Sequence, residues 1–205
     1  MAVQIDTILF DADGVLQRAH AWRPAVEAML GRRRARIEEF LRDVYVAERP
    51  SLIGDGDFDT VFAKLLQIWQ ISRDDLARAW TTIEVQDEVL DVVRRLRAAG
   101  RRCCVASNQQ AMRANHMSRV KGYGALFDRE FYSYQLRCMK PEPAFFRKIV
   151  EELGVAAGAI AFVDDSAANV AAARAIGIHA AVYDCANGAA LLRQTLATLG
   201  VAVPD

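Results

Sequence analysis

Two aspartates lie one residue apart in the stretch TILFDADGVLQ, which runs from Thr7 to Gln17. The residues TILF before them have the composition of a buried β-strand, so we expect Asp11 and Asp13 where that strand ends. Two carboxylates this close repel each other and resist leaving water unless a positive group lies between them. The pair therefore predicts a site that holds a cation, to which other parts of the chain must contribute.

An alternation of strand-like and helix-like stretches from about Glu88 onward predicts the elements that build this site. We expect further strands over RRCCVAS, EFYSYQL, AIAFVDD and IHAAVYD, and helices over DEVLDVVRRLRAAG, QQAMRANHMSRV, PAFFRKIVEELG, AANVAAARAIG and GAALLRQTLATLG. Such alternation is typical of an α/β fold with a doubly wound parallel sheet, in which helices cover both faces.

Polar residues follow several of the expected strands, and ligands bind open parallel sheets beyond the carboxyl ends of the strands. We therefore expect these residues to meet in one cleft. They are Asp11 and Asp13 after the first strand, Ser107 and Asn108 after the second, Lys140 after the third, and Asp164 and Asp165 after the fourth.

The residue types in this cleft suit phosphoryl transfer. Mg²⁺ prefers oxygen ligands and keeps several waters, and a bound divalent cation neutralises charge on a phosphate during in-line transfer. Lys140 supplies a second positive charge, and Ser107 can donate to a phosphoryl oxygen. The sequence shows no evident catalytic histidine and no GxxxxGK[ST] loop, so a carboxylate is the available nucleophile, through an aspartyl-phosphate. Asp13 is placed to give a proton to the leaving oxygen and later to take one from water.

Residues from about Arg18 to Glu84 depart from the alternation. The stretches VEAML, IEEFLRDVY, VFAKLLQIW and DDLARAW have apolar residues at helical spacing, and no convincing apolar strand occurs among them. We therefore expect a helical insertion over residues 18–84, between the first strand and the rest of a core that is formed by residues 1–17 and 85–205.

Composition and charge limit the classes of protein to which the chain can belong. Its 205 residues are 53% hydrophobic and 25% charged, which is typical of a soluble globular protein. The 26 basic and 26 acidic residues balance, so no global field favours nucleic acid or an anionic membrane. The amino-terminal residues do not resemble a signal peptide, and the apolar runs are shorter than the ~20 residues of a membrane span. The four cysteines lack the spacing of metal ligands. We therefore expect a cytoplasmic protein without a thiolate-bound metal.

The four polar segments resemble, in order, the motifs of the haloacid dehalogenase (HAD) superfamily. FDADGV is similar to the first motif, ASN at 106–108 to the second, KPEP at 140–143 to the third, and FVDDSAANV at 162–170 to the fourth. The resemblance covers essentially the whole chain. It implies a phosphatase-type hydrolase with a Rossmann-like core, in which residues 18–84 form a helical cap that closes over the cleft.

The resemblance also implies roles for the acidic residues. Asp11 would be the nucleophile and a Mg²⁺ ligand, and Asp13 the general acid and base, with its backbone carbonyl on the metal. Asp165 would ligate the metal directly, and Asp164 would act through a water molecule.

Further roles follow for the remaining motif residues. Ser107 and the backbone of Asn108 would bind the phosphate of the substrate. Lys140 would orient the nucleophile and offset its charge. Asn169 occupies a position where family members often carry Asp or Asn. We expect it to contact the metal ligands without binding the metal itself.

Three alternative functions share parts of this pattern. Family members that dehalogenate haloacids form an ester intermediate without metal and do not carry the second aspartate of the first motif, so Asp13 favours phosphoryl chemistry. A sugar phosphomutase would use the same site, and a protein without catalysis could use the cleft to sense a phosphorylated metabolite. Because a cap would obstruct a folded protein, we expect the partner to be a small phosphorylated metabolite such as a sugar phosphate.

Overall fold

A five-stranded parallel sheet forms the centre of the structure, a computed structural model that describes residues 4–204. The strands are Thr7–Phe10 (β1), Arg102–Ser107 (β2), Arg129–Tyr132 (β3), Ile160–Asp164 (β4) and His179–Val182 (β5). They lie in the order β3-β2-β1-β4-β5, with every neighbouring pair parallel. The predicted α/β fold with a parallel sheet is confirmed.

Helices connect the strands and also fill the segment between β1 and β2. They are Arg23–Leu30 (α1), Ile37–Leu52 (α2), Phe58–Trp69 (α3), Arg73–Trp80 (α4), Asp87–Ala98 (α5), Ala111–Arg119 (α6), Tyr123–Leu126 (α7), Ser133–Leu136 (α8), Pro143–Leu153 (α9), Ala167–Arg174 (α10) and Gly188–Thr198 (α11). Within residues 4–204, none of the helices combines the length and the apolar character needed to cross a membrane.

The central strand β1 is buried over its whole length, because parallel strands are covered by helices on both faces. Its side chains alternate between two apolar clusters: Ile8 and Phe10 pack in one cluster and Leu9 in the other. Phe10 is in register with Val105 of β2 and with Val163 of β4. The carboxyl ends of these three strands therefore lie side by side, and the residues that follow them open on one cleft.

The third strand is shorter than its sequence indicates. The strand-like stretch EFYSYQL covers residues 130–136, but β3 ends at Tyr132 and residues 133–136 form the helical turn α8, so the expected strand is wrong in its second half. Ser133 is fully buried at this junction, where its hydroxyl accepts a 3.0 Å hydrogen bond from the backbone N–H of Gln109. This tertiary contact outweighs the local preference of the aromatic residues for a strand.

The helices α1–α4, at residues 23–80, pack around an apolar cluster of their own. The aromatic members of this cluster are Trp22, Phe40, Phe58, Phe62, Trp69 and Trp80. We call these four helices the helical insert. Its presence agrees with the helical spacing read from the sequence, whereas the domain boundaries at residues 17/18 and 84/85 stay predictions.

Candidate active site

The strand ends carry a buried ion-pair chain of two carboxylates and one ammonium group. Lys140 Nζ lies 2.7 Å from Asp11 Oδ1 and 2.6 Å from Asp164 Oδ2, and the lysine side chain is 1% exposed. Asp11 follows β1 and Asp164 ends β4, so the pairing of these neighbouring strands places both carboxylates beside the lysine. The positive partner that the crowded carboxylates require is thus part of the chain itself.

A third carboxylate completes a cluster that could hold a metal ion. Asp11, Asp164 and Asp165 each offer one oxygen, and these three atoms lie within 4.8 Å of one another. The backbone of Gly14 makes room for this approach, since a Cβ atom at that glycine would lie 2.4 Å from Asp165 Oδ2. Gly14 also has φ +86°, a conformation that other residues adopt at a cost. A set of hard oxygen donors with room for water fits Mg²⁺.

The ionisation of these groups reflects burial and mutual attraction. Burial raises the pKa of Asp11 to about 7, in spite of the opposing effect of the Lys140 ammonium. Burial alone would lower the pKa of Lys140, but Asp11 and Asp164 outweigh it and raise that pKa, so the lysine stays charged. Burial and the charge of Asp164 raise the pKa of Asp165. A divalent cation here would favour the ionised carboxylates that a nucleophile and its metal ligands require.

The carboxylate of Asp13 accepts hydrogen bonds from a separate group of donors. Gln17 Nε2 and Arg113 Nη2 donate to Asp13 Oδ1 at 2.9 and 2.8 Å. Gln109 Nε2 donates to Asp13 Oδ2 at 2.8 Å, and Arg113 Nη1 donates to the same oxygen. Burial would raise the pKa of Asp13, but the Arg113 guanidinium and these donors hold it at about 2. Asp13 is therefore a carboxylate in this arrangement.

The other predicted site residues surround the same centre. Ser107, at the end of β2, is buried within reach of Gln109, whose Nε2 lies 3.4 Å from the serine hydroxyl. The side chain of Asn108 accepts a 2.8 Å hydrogen bond from the backbone N–H of Lys140 and donates a 2.9 Å bond to its carbonyl. Asn169 donates to both oxygens of Asp164, at 2.9 and 3.1 Å. Asn108 thus fixes the loop that carries the lysine, and Asn169 fixes the carboxylate behind it.

A cavity of about 300 Å³ opens on this centre. Asp164 lies behind its wall, next to Lys140. The predicted site residues that line the cavity are Asp11, Asp13, Ser107, Asn108, Lys140, Asp165 and Asn169. The structure therefore brings all eight predicted residues into one site.

Comparison with known protein families agrees with this arrangement. Residues 5–177 match the family model of the haloacid dehalogenase-like hydrolases. The chain belongs to this family. It is therefore a HAD-like hydrolase, and the resemblance read from the four motifs is confirmed. We found no match among the curated proteins.

Solved structures of similar proteins share the fold of this HAD-like hydrolase. A predicted HAD-like family hydrolase from Porphyromonas gingivalis aligns with TM-score 0.78 and 22% identity over 96% of this chain and 98% of its own. A HAD family enzyme from Bacteroides thetaiotaomicron, in complex with magnesium and inorganic phosphate, aligns with TM-score 0.71 and 21% identity over 87% and 93%. L-2-haloacid dehalogenase from Xanthobacter autotrophicus, with chloropropionic acid covalently bound, aligns with TM-score 0.69 and 22% identity over 98% and 85%.

Two buried charged residues of the site did not emerge from the sequence motifs. Arg113, on α6, binds Asp13 and also donates from Nε to the backbone carbonyl of Trp80, at 2.9 Å. Glu48, on α2, lines the cavity from the helical insert and is 7% exposed. A signal for Glu48 exists in the sequence, because it follows Val44 by four residues and so continues the apolar face of an amphipathic helix.

Proposed function

We propose that this HAD-like hydrolase is a Mg²⁺-dependent phosphatase, which releases phosphate from a small phosphomonoester through an aspartyl-phosphate. The observation that carries the proposal is the convergence of the Asp11, Asp164 and Asp165 oxygens within 4.8 Å, with the Lys140 ammonium on two of these residues. Such a site offers a carboxylate nucleophile together with the positive charge that a phosphate dianion requires.

In the first step, an oxygen of the Asp11 carboxylate attacks phosphorus and the bond from phosphorus to the ester oxygen breaks. Lys140 keeps Asp11 Oδ1 in place, so that the carboxylate meets the phosphate in a fixed orientation. The hydroxyl of Ser107, at the end of β2, and the backbone N–H of Asn108 would donate to phosphoryl oxygens. The leaving oxygen receives its proton from Asp13.

In the second step, water attacks the phosphorus of the aspartyl-phosphate and Asp13 takes the proton of that water. The bond between phosphorus and Asp11 breaks, which restores the carboxylate and releases inorganic phosphate. Asp13 suits the role of base as it stands, since Arg113 holds it in the ionised form. To act as the acid in the first step, Asp13 must release its contacts with Arg113 and carry a proton. The proton that it takes from water in the second step supplies this acid for the next turnover.

Asp11, the backbone carbonyl of Asp13, and Asp165 would hold Mg²⁺, with Asp164 acting through water. When bound, Mg²⁺ supplies charge neutralisation on the phosphoryl oxygens and on the attacking carboxylate. The cavity of about 300 Å³ favours a small phosphorylated metabolite as substrate. The helical insert, which contributes Glu48 to the wall of the cavity, would serve as a cap over it.

Replacement of the nucleophile tests this proposal. Asp11→Asn should abolish the release of phosphate from p-nitrophenyl phosphate while the circular dichroism spectrum stays unchanged. The matched control is Asp91→Asn on the exposed side of α5, which should keep full turnover. Equal turnover in EDTA and in Mg²⁺ would remove the metal from the mechanism.

A single turnover in H₂¹⁸O, with the enzyme in excess, separates the phosphatase from a dehalogenase. In a phosphatase, water attacks phosphorus, so the label enters the released phosphate. In a dehalogenase, water attacks the carbonyl carbon of the ester intermediate, so the label enters the carboxylate of Asp11. A sugar phosphate that is isomerised without net release of phosphate would instead identify a phosphomutase, and binding without turnover would identify a sensor.

A further inference from the structure

Residues of the helical insert, and Trp22 next to it, form part of the wall of the cavity. Trp80 ends α4, Trp22 lies just before α1, and Glu48 projects from α2. If Asp11 receives the phosphoryl group, the alcohol part of the substrate would lie against the part of the wall to which these three residues contribute. Their chemistry therefore selects the leaving group.

One oxygen of the Glu48 carboxyl group is open to the cavity. Its Oε1 accepts a 2.7 Å hydrogen bond from Trp80 Nε1. Within residues 4–204, Oε2 has no hydrogen-bond partner. The surrounding protein does not enclose this oxygen completely. Because the residue is 7% exposed and lines the cavity, this free oxygen faces the space that a leaving group would fill.

The protonation of Glu48 determines which partner it can take. Burial raises the pKa of Glu48 to about 7, although the Trp80 N–H and the Arg113 charge act against this. Near neutral pH the group is present both as the acid, which donates, and as the carboxylate, which accepts. A hydroxyl group can form a hydrogen bond with either form of Glu48. The carboxylate form would repel an anionic group, and an ammonium group could pair only with the carboxylate form.

Two aromatic rings contribute apolar surface to this wall. The rings of Trp22 and Trp80 lie 5.0 Å apart between centroids, at an interplanar angle of 33°, and both residues are almost fully buried. Flat indole surfaces pack well against the C–H groups of a carbon skeleton, while the nearby carboxyl group binds a hydroxyl on it. This combination suits a molecule that is hydroxylated on one side and apolar on another.

We propose that Glu48 is the specificity-determining residue of the site, and that it binds a hydroxyl group of the leaving alcohol. The substrate class is then phosphomonoesters of polyhydroxylated alcohols, which are sugar and polyol phosphates, rather than hydroxyl-free alkyl phosphates or phosphate esters whose alcohol part carries a carboxylate. This inference rests on the proposed phosphatase function and adds the substrate class to it.

A comparison of esters with and without hydroxyl groups tests the proposal. We would measure kcat/KM with Mg²⁺ for a panel of hexose, pentose and polyol phosphates, for cyclohexylmethyl phosphate, and for acetyl phosphate, whose leaving group is too small to use this wall. The best panel member should exceed cyclohexylmethyl phosphate at least tenfold. Glu48→Met should lower that ratio about tenfold, which corresponds to about 1.4 kcal/mol for one lost hydrogen bond.

Two further variants serve as matched controls. Glu48→Gln keeps a polar group that can bind a hydroxyl, so it should keep the ratio within about threefold of wild type. Glu39→Met replaces an exposed glutamate of the same helix and should leave the ratio unchanged. Thermal melting would verify that each variant is folded.

The possible results separate this proposal from the function on which it rests. Suppose that the enzyme hydrolyses acetyl phosphate, but that the folded Glu48→Met variant has the same ratio of kcat/KM values as wild type. The role of Glu48 would then be overturned, while the proposed phosphatase function would stand. The role of Glu48 would also be overturned if the wild-type enzyme hydrolysed cyclohexylmethyl phosphate with the same kcat/KM as the best sugar phosphate. Failure to hydrolyse acetyl phosphate and every ester of the panel in Mg²⁺ would overturn the phosphatase and the substrate class together.

Discussion

Replacement of Lys140 by methionine isolates the electrostatic balance of the site. Lys140→Met keeps the length of the side chain but removes the ammonium that lies 2.7 Å from Asp11 and 2.6 Å from Asp164. The side chains of these two aspartates are 10% and 0% exposed, so water cannot replace the lost charge. Removal of one partner from a buried ion pair costs about 3–5 kcal/mol.

This cost translates into a measurable change in thermal stability. For a chain of this length, 1 kcal/mol changes Tm by about 2–4 °C, so Lys140→Met should lower Tm by about 6–20 °C in EDTA at pH 7.5. Added Mg²⁺ should raise the Tm of this variant more than that of wild type, because the cation takes over the neutralisation of the carboxylates. Lys64→Met, at an exposed position of α3, should change Tm by less than about 2 °C.

A double-mutant cycle separates the loss of charge from the loss of packing. If the cost comes from unpaired carboxylates, Lys140→Met combined with Asp164→Asn should be less destabilising than the sum of the two single changes. Additive effects, or a Tm of Lys140→Met within 2 °C of wild type in EDTA, would refute the reasoning.

Two other predictions follow from single positions in the site. Because the pKa of Glu48 rises from 4.5 to about 7 on folding, its ionisation destabilises the folded state as pH increases from 4.5 through 7. Urea unfolding should therefore find Glu48→Gln equal to wild type near pH 4 but about 3 kcal/mol more stable at pH 8.5, whereas Glu39→Gln should show no such gain. Gly14→Ala should displace Asp165 and raise the Mg²⁺ concentration for half-maximal activity at least tenfold. The control Gly158→Ala, whose added Cβ has nothing within 4 Å, should leave that concentration unchanged, and an equal Mg²⁺ requirement in the two variants would contradict the role of Gly14.

Much of the fold and the strand-end residues could be predicted from the sequence, since each depends on local patterns. A short apolar run that ends in polar residues indicates a buried parallel strand, and this pattern gave the positions of Asp11, Ser107 and Asp164. The order of the strands then brings these ends together through general rules of α/β topology. The helical insert followed from the spacing of apolar residues in the same way.

The parts that could not be predicted depend on contacts between distant residues. Arg113 reaches Asp13 across 100 positions, and nothing in the stretch QQAMRANHMSRV distinguishes this arginine from a solvent-exposed one. The end of β3 depends on a hydrogen bond between Ser133 and Gln109, which local propensity does not reveal. The predicted helices and strands agree with the structure wherever the buried residues are those that the spacing of apolar residues indicates.

The most direct test of the central claim is mass spectrometry of the peptide that contains Asp11, after rapid quenching of turnover with acetyl phosphate. If carboxylates from separate strands share one divalent cation and Asp11 takes the phosphoryl group, the peptide should carry one phosphoryl group in Mg²⁺. The modification should be absent in EDTA and in Asp11→Asn. An unmodified peptide during steady turnover, or a phosphoryl group on another residue, would contradict the account.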